Sequence, residues 1–312
     1  MTVAGYAHPD YARSLAEYGT PLALPLCGGW LLERPVPGFA ATDAMGCYPL
    51  FVCRDWSQLR VDIEGLGSRL VSIALVTDPF GNYTPEELHG CFDVVRPFKH
   101  HYITDLGLPL SESVSKHHRY YARKSLRQIT VDVCHEPSRH LHEWSSLYAN
   151  LVKRHNITGI RAFSPESFLR QLSVRGMVLF LARLEGEVVG AYVVATCDDV
   201  AYSHLSAFSD VGYRIRAAYA LRWTALEYLS GQKVRYVDMG GTAGLDDERT
   251  SGLAKFKSGW SSETRPVYFC GRILDPEMYG TIVRAKASRE DGYFPAYRSG
   301  EFAGGATTAR TE

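Results

Sequence analysis

Apolar and polar positions change period several times along this chain, most clearly between Met177 and Leu274. Apolar runs at 177–184 and 188–196 flank the polar turn Glu185-Gly186-Glu187, and after Asp198-Asp199 a third run, 200–208, alternates large and small residues. These read as three strands joined by two hairpin turns. In 214–230 the spacing shifts: Ala218, Leu221, Ala225 and Leu229 fall at steps of three and four. That stripe predicts an amphipathic helix ending near Gly231. Residues 234–239 return to strand, Gly240-Gly241 breaks it, and 266–274 supplies one more. A strand, helix and strand in this order normally close a right-handed parallel crossover. Residues 209–214 would then lie at the carboxyl end of the first strand, a place that suits an anion.

Upstream, the same reading predicts a short helix at 11–18, irregular or strand segments at 21–26 and 30–33, and strands at 49–54 and 70–77. A turn at 78–82, a short helix at 86–91 and strands at 92–95 and 100–105 follow. The polar link 111–115 ends in a serine able to cap the next helix, 116–127, which is the most basic stretch of the chain. Arg119, Arg123 and Arg127 form one row at steps of four, with Lys116, Tyr120 and Lys124 in the adjacent row. Like charges at that spacing repel by about a few tenths of a kcal/mol per pair. The cost fits a solvated helix edge or a site that an anion neutralises. A strand at 129–134 leads into a helix at 138–154, with Leu141, Trp144, Leu147, Tyr148 and Leu151 inward, and Ser164-Pro165-Glu166 opens another. Beyond Leu274 the pattern lapses, and the Gly-, Ala- and Thr-rich stretch 299–312 is expected to be a mobile tail.

Both halves are thus mixed α/β, and 312 residues with 46% apolar content accommodate two domains with their own cores. Lys+Arg and Asp+Glu each total 34, so there is no global basic field, and any nucleic-acid contact must come from a local patch. The seven cysteines are odd in number and never form a Cys-x-x-Cys pair, which favours a reducing compartment. Residues 1–10 lack the basic flank and apolar core of a signal peptide, and no apolar run approaches the roughly 18 residues of a membrane span. The cytoplasm is the expected location. His100-His101 and His117-His118 have no cysteine or carboxylate partner at metal spacing, so no metal is expected. Asp246-Asp247-Glu248 lacks the alternating ligands of a calcium loop and reads as a solvated turn.

The chemistry concentrates in two segments. Residues 235–241 read Arg-Tyr-Val-Asp-Met-Gly-Gly, and residues 252–260 read Gly-Leu-Ala-Lys-Phe-Lys-Ser-Gly-Trp. Together they resemble the Fem-type aminoacyltransferases and their GNAT relatives, which carry an aromatic-x-Asp-x-Gly strand end, a loop, and a Phe-Lys-x-Gly-aromatic signature. The resemblance implies an α/β fold of two tandem GNAT-like domains with mixed sheets and flanking helices. Residues 1–110 would form the first and 111–275 the catalytic second, with 276–312 a C-terminal segment able to return to the first. It also places Phe256 and Lys257 at the active cleft, and gives the helix of Arg119, Arg123 and Lys124 a phosphate to contact.

An enzyme that joins an amine to an activated acyl group must hold the donor, accept a proton and stabilise a tetrahedral oxyanion. By the resemblance Lys257 meets the oxyanion; otherwise it caps a surface loop. Asp238, at a strand end, either orients the attacking amine or holds the Gly240-Gly241 turn. Tyr202 and His204 alternate on one face of the third strand and point to the core or to the cleft. Tyr236 is open to stacking on a base of the donor or to core packing.

Acetyl-CoA enzymes of the GNAT fold cradle pyrophosphate with a Gln/Arg-x-x-Gly-x-Gly/Ala loop. Here 210–217 reads Asp-Val-Gly-Tyr-Arg-Ile-Arg-Ala, one glycine short and crowded by Tyr213 and Ile215. The resemblance therefore points to aminoacyl-tRNA as donor and to no cofactor. Arg214, Arg216, Arg222 and the 119–127 row would form a basic track for its backbone. The acceptor would be a small peptide-like amine, a peptidoglycan precursor or a natural-product intermediate. An acyl-CoA-dependent N-acyltransferase and a non-catalytic binding module on a decayed acyltransferase scaffold are the alternatives.

Overall fold

The computed structural model describes residues 3–157, 159, 162–242, 251–286 and 292–301. The turn expected at 246–248 and the tail beyond 301 lie outside the described residues. The chain divides into two compact units, named here for their place in the sequence. A flanking unit comprises Tyr11–Phe98 and the chain from Val267, and a central unit comprises Lys99–Ile157 and Phe163–Pro266 together with the residues up to Asp10. The chain changes unit at Lys99 and at Val267, inside two strands.

The flanking unit opens with α1 (Pro9–Ser14), β1 (Thr20–Leu24), β2 (Gly29–Pro35) and β3 (Thr42–Gly46), followed by α2 (Leu59–Leu66), β4 (Ser72–Val76) and α3 (Pro85–Cys91). Strands β1 to β3 pair antiparallel in sequence, and β3 pairs parallel with β4. The expected strand at 49–54 reduces to a single bridge between Phe51 and Thr77; Pro49 has no N–H to give a ladder. A core of Leu31, Phe51, Ile63, Leu70 and Ile73 forms beneath the sheet. Helix α3 has a full capping box, Thr84 and Glu87 each accepting from the other's backbone N–H.

One strand, β5 (Val94–Asp105), replaces the two expected at 92–95 and 100–105. From Lys99 it belongs to the central unit, with α4 (Leu110–Ser113), α5 (Lys116–Leu126), β6 (Thr130–Cys134), α6 (Leu141–His155), α7 (Pro165–Leu172), β7 (Met177–Leu184), β8 (Glu187–Cys197) and β9 (Val200–Phe208). Then come α8 (Asp210–Arg214), α9 (Ala217–Ser230), β10 (Tyr236–Asp238), α10 (Gly252–Ser258) and β11 (Glu263–Ile273), with α11 (Pro276–Ala285) completing the helices. The central sheet runs β5-β10-β9-β8-β7-β6. Among its described strands only β9 and β10 pair parallel, joined through α9 as the crossover predicts. Strand β11, from Val267, pairs antiparallel with β4 and carries the chain back to the flanking unit.

The single helix expected over 214–230 is two. Ser209 caps α8, accepting from the Gly212 N–H, and Arg216 then turns left-handed (φ 60°) before α9 starts. Periodicity does not register one left-handed residue between two helices in phase. Ala220, Leu221, Ala225 and Leu229 of α9 enter a core with Phe180, Tyr192, Val194 and Trp260. Small alanines let α9 lie close to the sheet, and α5 packs beside it. Among the described residues no helix is long and apolar enough to cross a membrane.

Candidate active site

Two glycines at the end of β10 organise the polar centre of the central unit. Gly240 turns with φ 76°, and a Cβ there would sit 3.0 Å from Nζ of Lys257. A Cβ on Gly241 would meet Lys99 Cδ at 3.0 Å and His101 Cδ2 at 3.2 Å. Both positions must therefore stay bare for charged side chains to approach the backbone. Lys257 Nζ donates to the Gly241 carbonyl at 2.5 Å, and Lys99 Nζ donates to the Thr242 carbonyl at 2.6 Å.

Asp238 is 2% exposed, and both of its carboxylate oxygens are used. Oδ1 accepts from the Gly240 N–H at 2.6 Å and Oδ2 lies 2.8 Å from Nδ1 of His101. Of the two roles open to Asp238 in the sequence, holding the turn is the one seen in these contacts, and its other oxygen is taken by His101. Lys257 has lost most of its water. Desolvation pushes its pKa down to about 7, Arg222 and Lys99 push the same way, and Asp238 opposes them. Near neutral pH it is thus an ammonium only part of the time.

The Phe-Lys-x-Gly-Trp segment is locked from behind by α5. His118 Nε2 donates to the Phe256 carbonyl at 2.9 Å while Nδ1 takes a hydrogen bond from Ser115 Oγ at 2.9 Å. The rings of His118, Tyr219, Phe256 and Trp260 pack at centroid distances of 5.0 to 6.0 Å. Gly259 is bare for a reason, because a Cβ would sit 2.0 Å from His118 Cε1. Gly259→Ala is expected to cost about 1–3 kcal/mol of stability by overpacking. Thermal melts check this, and an unchanged melting temperature would contradict it.

Other expected residues land elsewhere. His204 does not join Lys257 and Asp238: its ring nitrogens are taken by Tyr6 Oη at 3.0 Å and Gln171 Oε1 at 2.9 Å. Burial lowers its pKa to about 3, so it is a packed neutral ring, the core alternative of the two the sequence left open. Tyr202 is the register partner of Asp238 and is buried, its ring 5.1 Å from that of Tyr6. Tyr236 lies under the guanidinium of Arg265, 4.6 Å from the ring centroid.

Of the basic track, Arg123, Lys124, Arg214 and Arg216 are exposed. Arg216 lies 3.8 Å over the ring of Tyr121 and so joins the α5 row. Arg119 buries Nε with no acceptor among the described residues. Arg222 leaves the track, since it is buried with its guanidinium 3.4 Å from the Tyr192 ring centroid. Gly212 must stay bare, because a Cβ there would sit 2.0 Å from the Val189 carbonyl oxygen, and its N–H is given to Ser209 Oγ at 3.1 Å. Among the residues sequence reasoning missed, Lys99, His101 and His118 all lie in pairs or stretches passed over as non-metal histidines or strand.

Residues 113–258 match the family model of the acetyltransferase (GNAT) domain. In structure the chain is similar to FemX, with a TM-score of 0.64 at 15% identity over 88% of this chain and 93% of that one. It is also similar to a C-terminal domain from Agrobacterium fabrum assigned to a lysylphosphatidylglycerol synthetase, with a TM-score of 0.60 at 15% identity over 89% and 91%. L-PGS from Bacillus licheniformis gives a TM-score of 0.56 at 15% identity over 91% and 98%. No curated protein matches the chain in sequence. The fold is thus a GNAT-type α/β fold of the Fem-like kind, and the family match supports an acyltransferase in general.

Proposed function

We propose that the chain forms amide bonds, moving an aminoacyl group from aminoacyl-tRNA to the amine of a small peptide-like acceptor in the cytoplasm. The observation that carries this is Lys257 of α10, whose Nζ, desolvated, donates to the Gly241 carbonyl just past Asp238 at the end of β10. In its protonated form Lys257 offers N–H donors to the oxygen of the tetrahedral intermediate in a site poor in water, where such a donor acts most strongly. The amine attacks the ester carbonyl, the carbonyl oxygen takes up negative charge, and the ribose oxygen leaves. Arg123, Lys124, Arg214 and Arg216, exposed around α5 and the start of α9, supply the phosphate contacts of the donor. The Gly212 N–H, taken by Ser209 Oγ, is not directed to a pyrophosphate, which favours this donor over acyl-CoA. This reading treats the chain as two GNAT-like domains in tandem, with 111–275 catalytic.

Purified protein is incubated with labelled mixed aminoacyl-tRNA or with acetyl-CoA, plus a pool of amines, with and without ribonuclease. Label transfer that ribonuclease abolishes is the expected result. Transfer from acetyl-CoA alone selects the acyl-CoA enzyme, and tight binding without transfer selects a non-catalytic module.

A further inference from the structure

Amide formation leaves a proton to be moved: the attacking amine carries one too many after the C–N bond forms, and the departing ribose oxygen needs one. Asp238 is 2% exposed and turned to its neighbours, one oxygen accepting from the Gly240 N–H and the other held by His101. His101 is differently placed. Its ring is 8% exposed, and Nδ1–H given to the Asp238 carboxylate at 2.8 Å fixes the tautomer in which Nε2 is an acceptor. No described residue occupies Nε2. Cδ2, the ring atom bonded to Nε2, lies 3.2 Å from the position of a Cβ on Gly241, so that edge of the ring faces the glycine turn. Lys257 Nζ approaches the same turn at Gly240 and is hydrogen-bonded to Gly241. A cation and a proton acceptor therefore flank one dipeptide, the arrangement that addition to a carbonyl requires.

We propose that His101 is a catalytic residue, the proton carrier of the transfer, oriented by Asp238; this rests on the acyl-transfer reading above. As the amine nitrogen bonds to the ester carbon, Nε2 takes the surplus proton from that nitrogen. It then gives the proton to the ribose oxygen as the C–O bond breaks, so the histidine ends as it began. Lys257 meets the oxyanion in both steps. The arrangement joins β5 and β10, which pair antiparallel with Asp238 opposite Ile103. His101 and Ile103 consequently share the Asp238 face of the sheet. The charged groups around the ring are Asp238 on β10, Lys99 on its own strand, Lys257 on α10 and, acting on Lys257, Arg222 on α9.

The test compares wild type, His101→Gln and Asp238→Asn in steady-state transfer between pH 5.5 and 9, with whichever donor supports the wild type. His101→Gln is expected to lower kcat by about 10²–10⁴-fold with KM little changed, and to lose the acidic limb of the rate profile. Asp238→Asn is expected to displace that limb. If His101→Gln melts early, His101→Ala with added imidazole replaces it, and recovered turnover is expected; absence of recovery overturns the proposal. An active wild type whose His101→Gln variant keeps kcat within about 3-fold, or keeps the acidic limb, overturns this inference alone. A wild type that transfers from neither donor overturns the acyl-transfer reading and this inference with it.

Discussion

Lys257→Met is expected to reduce kcat/KM for amide formation by about 10²–10³-fold, the usual cost of removing one donor from an oxyanion site. The same substitution is expected to stabilise the folded chain at acidic and neutral pH. Burial lowers the pKa of Lys257 from its usual 10.5 to about 7. The unfolded chain thus holds a proton that the folded chain has released between those two values. Wild-type stability rises with pH across that window, and below about pH 7 the full cost of burying the ammonium is felt. Methionine removes that cost while keeping a chain of similar length. It also leaves the Gly241 carbonyl without its donor, which returns about 1 kcal/mol. The net gain at pH 6 is expected to be on the order of 2–3 kcal/mol, fading toward pH 10. Melts at both ends of the window check the sign. A variant less stable than wild type at pH 6 would show that the ammonium is well solvated. A site that weakens the fold where it works is a common cost of function.

Much of the central unit was legible because its segments are long and periodic. The three strands, the parallel pairing of β9 with β10 and the position of Asp238 at a strand end all follow from alternation and from the glycine break. The contact of Lys257 with the turn was not legible, since 16 residues separate it from Gly241. His101 was not legible. Its partner lies 137 residues away, and a histidine pair on a strand says nothing about which member turns toward a distant carboxylate. His204 failed in the opposite direction, because alternation names a face without saying that Tyr6, from the start of the chain, covers it. Helix α10 hid in what read as a loop, being one short element between Gly252 and Gly259. Helix α11 could have been found, for Asp275 caps it and Pro276 opens it, a start signal that local sequence carries in full.

Asp43→Ala is expected to destabilise the flanking unit by about 3–5 kcal/mol, the cost of stranding a buried charge. Asp43 lies on β3, 1% exposed, and the chain beyond α11 comes back to it. Its Oδ2 accepts from Arg298 Nε at 2.5 Å and from Tyr297 Oη at 3.0 Å, and Oδ1 accepts from Arg298 Nη2 at 2.9 Å. Arg34 Nε stands 3.4 Å from Oδ1. Ser72 Oγ gives its proton to Tyr297 Oη at 2.8 Å, which joins β4 to the same network. Removing the carboxylate leaves the Arg298 guanidinium buried, with only the Pro35 carbonyl and Glu301 as acceptors. The negative charge is thus what allows Arg298 to be buried at all. The fork of two parallel N–H···O bonds also fixes where the returning segment docks. Asp43→Asn keeps one acceptor oxygen and should cost less than Asp43→Ala. Asp43→Leu combined with Arg298→Met removes both charges together and should recover much of the loss, since a buried pair replaced by apolar side chains is often nearly neutral. Urea titrations of the four proteins decide the matter. If the double variant is as unstable as Asp43→Ala, the network holds the returning segment by its geometry rather than by cancelling charge.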